Sequence, residues 1–158
     1  MENTLKTVER LEKWEGNLYN WYDTKTARPL TPVYVSAVDS GNFACCLTAL
    51  AQGLLEYAVG CSSLSGIAQR VQALADQTNL AVFYSARRRL MHIGFDVKKG
   101  EMTGSFYDLL MSEARMASYF AIAKRQVPKK HWGALGRTLA TMGGYAGPVS
   151  WTLSLIHI

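Results

Sequence analysis

Between Ser105 and Lys124 apolar side chains recur at steps of four and three. Phe106, Leu110, Ala117 and Phe120 fall on one face of the helix that this spacing predicts, with Glu113 in the middle of the stripe. The same reading predicts a helix over 2–14, with Leu5, Val8 and Leu11 inward, a Glu9–Lys13 pair outside and Gly16 at its stop. A further helix is expected over about 43–59, where Thr48, Gln52 and Glu56 make a polar stripe, and another over about 64–77, where Leu64, Ile67, Val71 and Leu74 make a seam. Ser62 or Ser63 is placed to cap the latter.

From 80 to 97 the period changes. Val82–Tyr84 and Leu90–Val97 read as short strands around a basic turn, a β-hairpin, and KKGEMTG reads as a second turn. Ser105 and Asp108 fit a capping box at the start of the 105–124 helix, and Val127-Pro128 ends it. A short helix over about 128–141 follows, with Trp132 and Leu135; GGYAGP reads as a loop and VSWT as extended chain. Residues 17–42 hold two prolines, several turn formers and a concentration of aromatic, Asn and Asp side chains. That composition excludes a long helix and reads as an ordered loop with short extended pieces. The pattern predicts a mainly α protein, a helical toroid or bundle with functional loops at one end.

Composition changes this picture little. The 158 residues are 49% hydrophobic and 18% charged, which is the make-up of a folded domain. No run of about 18 apolar residues is present. The net charge of +5 is scattered: Arg87–Arg89 and Lys124–Lys130 read as solvated faces and helix ends, so no nucleic-acid partner is expected. Cys45, Cys46 and Cys61 are odd in number and lack zinc-type spacing. The first two read as small core residues, a reducing compartment fits best, and the pattern calls for neither metal nor cofactor.

Glu113 has two readings. A carboxylate on a buried face is costly unless paired, so it either meets an Arg or Lys of a neighbouring helix or lines a cavity and does acid, base or nucleophile work. Asp108, Ser112, Arg115 and Tyr119 share the opposite face as a solvated stripe. Nearby loops rich in Tyr, Trp, Asp and Asn suit sugars, because rings stack on CH faces while planar polar groups bond hydroxyls.

LYNWYDTKTARPLTPVYVSAVDSGNFACCLTALAQGL, RRRLMHIGFDV and FYDLLMSEARMASYFAIAKRQVPKKHWGALGR resemble the glucoamylase-like domain of cyclic β-1,2-glucan synthases, over nearly the whole chain to Thr152. The resemblance implies a partial (α/α) barrel with a short β-hairpin, residues 1–152 being a fragment of one such domain. It implies a glycoside hydrolase or transglycosylase that cuts and rejoins β-1,2-glucan by a retaining mechanism. In the full-length chain this domain would lie between glycosyltransferase and phosphorylase-like modules, in the cytoplasm and tethered to the inner face of the cell membrane through other domains. By the Ser-Glu-Ala-Arg block, Glu113 is the catalytic nucleophile, with Arg115 beside it. Asn20, Trp21, Tyr22 and Asp23, then Asp39, Ser40 and Asn42, then Tyr107 and Asp108, would line the sugar subsites. Phe106 and Ser85 depart from the family pattern, and the segment between the second helix and the hairpin is short. Plain β-glucan hydrolysis and a non-catalytic sugar-binding scaffold are the alternatives. The second carboxylate of the family pattern would fall past the end of this sequence.

The last six residues, LSLIHI, do not continue the pattern after PVSWT, and CTG TCT CTT ATA CAC ATC, a transposase end sequence used in preparing sequencing libraries, encodes them. Residues 153–158 are therefore expected to be read-through into an adapter. Resequencing the locus should show a reading frame that departs from this one at Leu153; a native stop codon after Ile158 overturns the expectation.

Overall fold

The computed structural model describes residues 1–59 and 62–150. Five helices stand among them: α1 (Glu2–Arg10), α2 (Ala37–Tyr57), α3 (Ser62–Gln77), α4 (Arg115–Ala123) and α5 (Lys130–Ala134). Ten short strands lie between: β1 (Lys13–Trp14), β2 (Asn17–Leu18), β3 (Tyr34–Ser36), β4 (Tyr84–Ser85), β5 (Leu90–His92), β6 (Gly94–Asp96), β7 (Glu101–Met102), β8 (Phe106–Tyr107), β9 (Leu139–Met142) and β10 (Tyr145–Pro148). They form four small antiparallel sheets, β1-β2, β3-β6-β7, β4-β5-β8 and β9-β10.

This arrangement corrects the expected fold. With 42% helix and 21% strand, the chain is not a mainly α toroid or barrel. The sharpest departure is the 105–124 segment. Phe106 and Tyr107 are strand-favouring residues, and they pair with His92 and Met91 of β5 instead of opening a helix. Leu110 N–H then bonds Gly136 C=O at 2.9 Å, which holds 108–114 as a loop, and α4 begins only at Arg115. The Ser105–Asp108 capping box therefore does not form. A simple N-cap forms at α2, where Ser36 Oγ accepts the Asp39 N–H at 3.2 Å while the Ser36 N–H goes to Asn20 Oδ1.

Other boundaries shift for similar local reasons. α1 ends at Arg10, and the Lys13 ammonium bonds the carbonyls of Val8, Glu9 and Leu11 that the helix end leaves open. Glu9 pairs with Arg70 of α3, whose guanidinium also takes Glu2. Gly16 serves the turn between β1 and β2, at φ 77, where a side chain would strike the Gln77 carbonyl. Cys46 is exposed and Cys45 half-buried, so neither is a core residue. VSWT and the 153–158 expectation fall wholly or partly outside the described residues, as does Cys61.

Two apolar clusters hold the chain together. Leu5, Ala51, Leu54, Ala68, Val71 and Leu74 join α1, α2 and α3, using the seam expected of residues 64–74. Val35, Val38, Leu80, Phe83, Met91, Tyr107 and Ala121 join the sheets to α2 and α4, and Trp14 stacks on Phe95 at 4.1 Å beside them. α2 is common to both. Its start lies against α4, because Gly41 leaves room for Ala117; any Cβ on Gly41 would overlap that methyl group. Gly41→Ala should therefore destabilise the chain by about 1–3 kcal/mol through overpacking. Gly53→Ala on the same helix, where an added Cβ meets open space, should stabilise by about 0.5–1 kcal/mol. Denaturant midpoints of the two variants, measured side by side, check both signs.

Candidate functional site

The α2–α4 contact at Gly41 and Ala117 brings two sequence blocks together. Asn42 follows Gly41, Glu113 lies just ahead of α4, and both open onto one hollow of about 480 Å³. Ser112, Arg115, Met116, Tyr119 and Trp132 complete its lining. The size is that of a small-molecule site. Glu113 is not on a buried helical stripe: it is exposed, in the turn before the N-cap of α4, where the positive end of the helix dipole faces it. Of the two readings of Glu113, the pairing with a Lys or Arg of a neighbouring helix does not occur among the described residues; Tyr107 bonds it instead.

The Tyr107 hydroxyl donates to Glu113 Oε1 at 3.4 Å. Tyr107 is the buried end of β8, and burial, the Glu113 charge and then Tyr34 and Asp39 hold its phenol well above the usual range. The hydroxyl therefore stays protonated and remains a donor to the carboxylate at any ordinary pH. Asp39, exposed in the first turn of α2, is a second acidic group whose charge reaches Tyr107. Ser112 Oγ is buried without a partner at the rim of the same hollow. Arg115 Nη1 lies 3.3 Å from Met111 Sδ, and the residue lines the hollow.

Of the residues expected to meet sugar, Glu113, Arg115 and Asn42 line the hollow, and Tyr107 and Asp39 stand behind it. The others are engaged elsewhere. Asn20 Oδ1 accepts the Ser36 N–H at 3.0 Å and fixes the approach to α2. Tyr22 donates its hydroxyl to Glu12 C=O at 2.6 Å and accepts the Tyr19 N–H. Asp23 Oδ1 accepts from Thr26 N–H, Thr26 Oγ1 and Lys25 N–H, and the Thr26 bonds hold its carboxyl below the usual range. Ser40 is buried and donates to Ser36 C=O. Asp108 contributes its backbone, accepting from Gly136 N–H, while its side chain is exposed. Trp21 is half exposed on the loop, outside the lining of this hollow.

Sequence reasoning placed Ser112 and Tyr119 on a solvated stripe and gave Met116 and Trp132 no part in a site. Tyr119 and Trp132 meet edge to face at 6.2 Å and form one wall. Behind this wall, one residue back on each element, His131 Nε2 lies 2.9 Å from Ser118 Oγ, and His131 Nδ1 lies 2.8 Å from Arg89 C=O. With a carbonyl on Nδ1, the neutral ring carries its proton there and accepts from Ser118. His131 is fully buried, with Tyr84 at its edge, and burial holds its imidazole below the usual range. No residue spacing marked this pair; α5 is too short for a periodic signal.

No protein-family model matches the chain. Among curated proteins it is similar to the cyclic beta-(1,2)-glucan synthase NdvB of Rhizobium meliloti (strain 1021), at 23% identity over 279 aligned positions. The match takes in 99% of this chain and 10% of the relative, so the chain spans about a tenth of that protein's length. The alignment is longer than the chain, so the relative carries stretches without counterpart here.

The buried imidazole gives a pH dependence whose sign is fixed. Its folded value is below the unfolded one, so the unfolded chain takes the proton first and stability rises with pH across that window. Stability should fall as pH drops below about 6.5 toward the folded-state value. His131→Gln should flatten this part of the curve. The loss at lower pH should remain, because Glu2, Glu9 and Asp23, held low by Arg70 or Thr26, release their stabilisation only below the carboxylate range. Denaturant midpoints across this pH range check both windows.

Proposed function

We propose that this chain is the part of a β-glucan-processing enzyme that holds a reacting glucosyl unit, with Glu113 as its catalytic carboxylate. One observation carries the reading: an exposed glutamate, bonded by a buried tyrosine, opens onto a hollow walled by a tryptophan–tyrosine pair. The rings offer an apolar face to the CH side of a pyranose, and Asn42, Arg115 and Ser112 offer directional bonds to its hydroxyls. The similarity to a glucan synthase supports β-1,2-linked glucan as the substrate class.

In this reading Glu113 attacks the anomeric carbon as the bond to the leaving oxygen breaks, forming a glycosyl-enzyme. A sugar hydroxyl then displaces Glu113, which gives chain transfer; water in its place would give hydrolysis. The Tyr107 hydroxyl holds the carboxylate in position without competing for its charge, since the phenol does not ionise. Such retaining chemistry needs a second carboxyl about 5–5.5 Å away to protonate the leaving oxygen and activate the acceptor. Among the described residues Glu113 is the carboxylate that lines the hollow, and Asp39 is a second acidic group whose charge reaches Tyr107. The match to a tenth of a glucan synthase supports taking residues 1–152 as a portion of a larger glucan-synthesising protein. Its other modules would supply glycosyl transfer and membrane attachment on the cytoplasmic side; no helix among the described residues is long and apolar enough to cross a membrane.

Glu113→Gln keeps the shape of the side chain and removes the nucleophile. In the longer protein carrying this segment, turnover of β-1,2-glucan should fall by roughly a thousandfold or more while glucan binding stays near normal. Product analysis should show rings or lengthened chains from the unaltered enzyme. Survival of turnover in Glu113→Gln overturns the catalytic assignment and leaves a non-catalytic sugar-binding domain.

A further inference from the structure

We propose that the hollow at Glu113 is one half of a longer groove, and that a second hollow beyond Tyr119 and Trp132 receives the next units of the same glucan chain. This rests on the reading of the first hollow as a glucosyl site. The second hollow has a volume of about 360 Å³ and is lined by Tyr119, Ile122, Lys129 and Trp132. It shares both aromatic residues with the first. The pair is therefore a ridge between two hollows and not the end wall of one. A chain bound at Glu113 that continues in this direction must pass over it.

The chemistry of the far hollow fits a continuing chain better than a free sugar. Apart from Lys129 its lining offers apolar and aromatic surface, which suits the CH faces of pyranose rings but supplies few partners for their hydroxyls. A lone sugar would lose hydration there for little return. A unit already tethered to one bound at Glu113 enters at high effective concentration, so a weak subsite still adds to affinity. Tyr119 is 62% exposed, which leaves its ring open to stacking. The ridge is also held from behind, because Ser118 and His131 immediately precede Tyr119 and Trp132 and bond each other in the interior. An aromatic platform fixed before the ligand arrives costs less entropy to use. A groove of this form takes the interior of a chain as well as its end, and so places sugar units on both sides of the ridge.

Calorimetric titration of the longer protein carrying this segment, in its Glu113→Gln form so that no turnover occurs, with a β-1,2-linked glucose disaccharide and with a long linear oligosaccharide of the same linkage tests this. The oligosaccharide should bind at least about tenfold more tightly than the disaccharide. Lys129→Ala, an exposed change in the far hollow and outside the lining of the first, should reduce that advantage in part, since the rings supply the rest, with a smaller effect on the disaccharide. Trp132→Ala should weaken both ligands and Trp132→Phe should restore much of the loss. Equal binding of the two sugars by the Glu113→Gln protein, or a Trp132→Ala variant that keeps the full advantage of the oligosaccharide, overturns the groove while leaving the first hollow intact. Failure of both sugars to bind the Glu113→Gln protein overturns the functional reading and the groove with it.

Discussion

The absence of one methyl group organises this molecule. Gly41 lets the first turns of α2 lie against Ala117 of α4, with no space left for a Cβ. Because α2 starts from a capped turn at Ser36 and α4 starts at Arg115, this contact fixes two loop-to-helix junctions against each other. Asn42 and Glu113 are the residues that the junctions carry into the gap. Close packing here does the work that a bond or a metal does in other sites: it sets a register between distant parts of the chain and leaves polar side chains at the edge of the contact.

Around that edge, polar groups divide into those already satisfied by the protein and those with bonding capacity left over. Asn20, Tyr22, Asp23 and Ser40 spend theirs on the backbone of the 12–36 region and on the start of α2. They make the scaffold stiff. Glu113, Arg115, Asn42 and Ser112 line the hollow, the Ser112 hydroxyl without a partner, and Tyr107 is a fixed donor on the protein side of Glu113. The aromatic wall has the same two layers. Ser118 and His131 bond inside, and Tyr119 and Trp132 face out.

Much of the helical part was legible in the sequence. The Leu64, Ile67, Val71 and Leu74 seam packs as its spacing requires, and a hairpin does form around the basic turn, but it pairs only Tyr84–Ser85 with Leu90–Met91; Ala81–Phe83 is a 3-10 turn, and residues 90–96 divide between two sheets. Residues 105–114 were not legible, for a physical reason. Their 3.6-residue periodicity is real, but Phe106 and Tyr107 gain more from pairing with His92 and Met91, a partner separated from them by many residues and invisible to a local window. The β9–β10 hairpin was missed differently. Gly143 and Gly144 both take positive φ, which a two-residue hairpin turn between Met142 and Tyr145 demands, yet GGYAGP was read as a loop. For the site, Glu113 was singled out as an intruder on a buried stripe, whereas the structure places it exposed in the turn before α4. Trp132 lay beyond reach because nothing local tells an aromatic in a five-residue helix which way it faces.

α2 passes through both apolar clusters, the early turns with the sheets and α4, the later turns with α1 and α3. Such a beam separates duties along its own length. Fluctuations that loosen α1 and α3 are absorbed around Ala51 and Leu54, several turns from Gly41. The far end of the beam thus serves as a buffer: variation in sequence and insertion of extra polypeptide can accumulate there while the junction at the other end keeps its alignment.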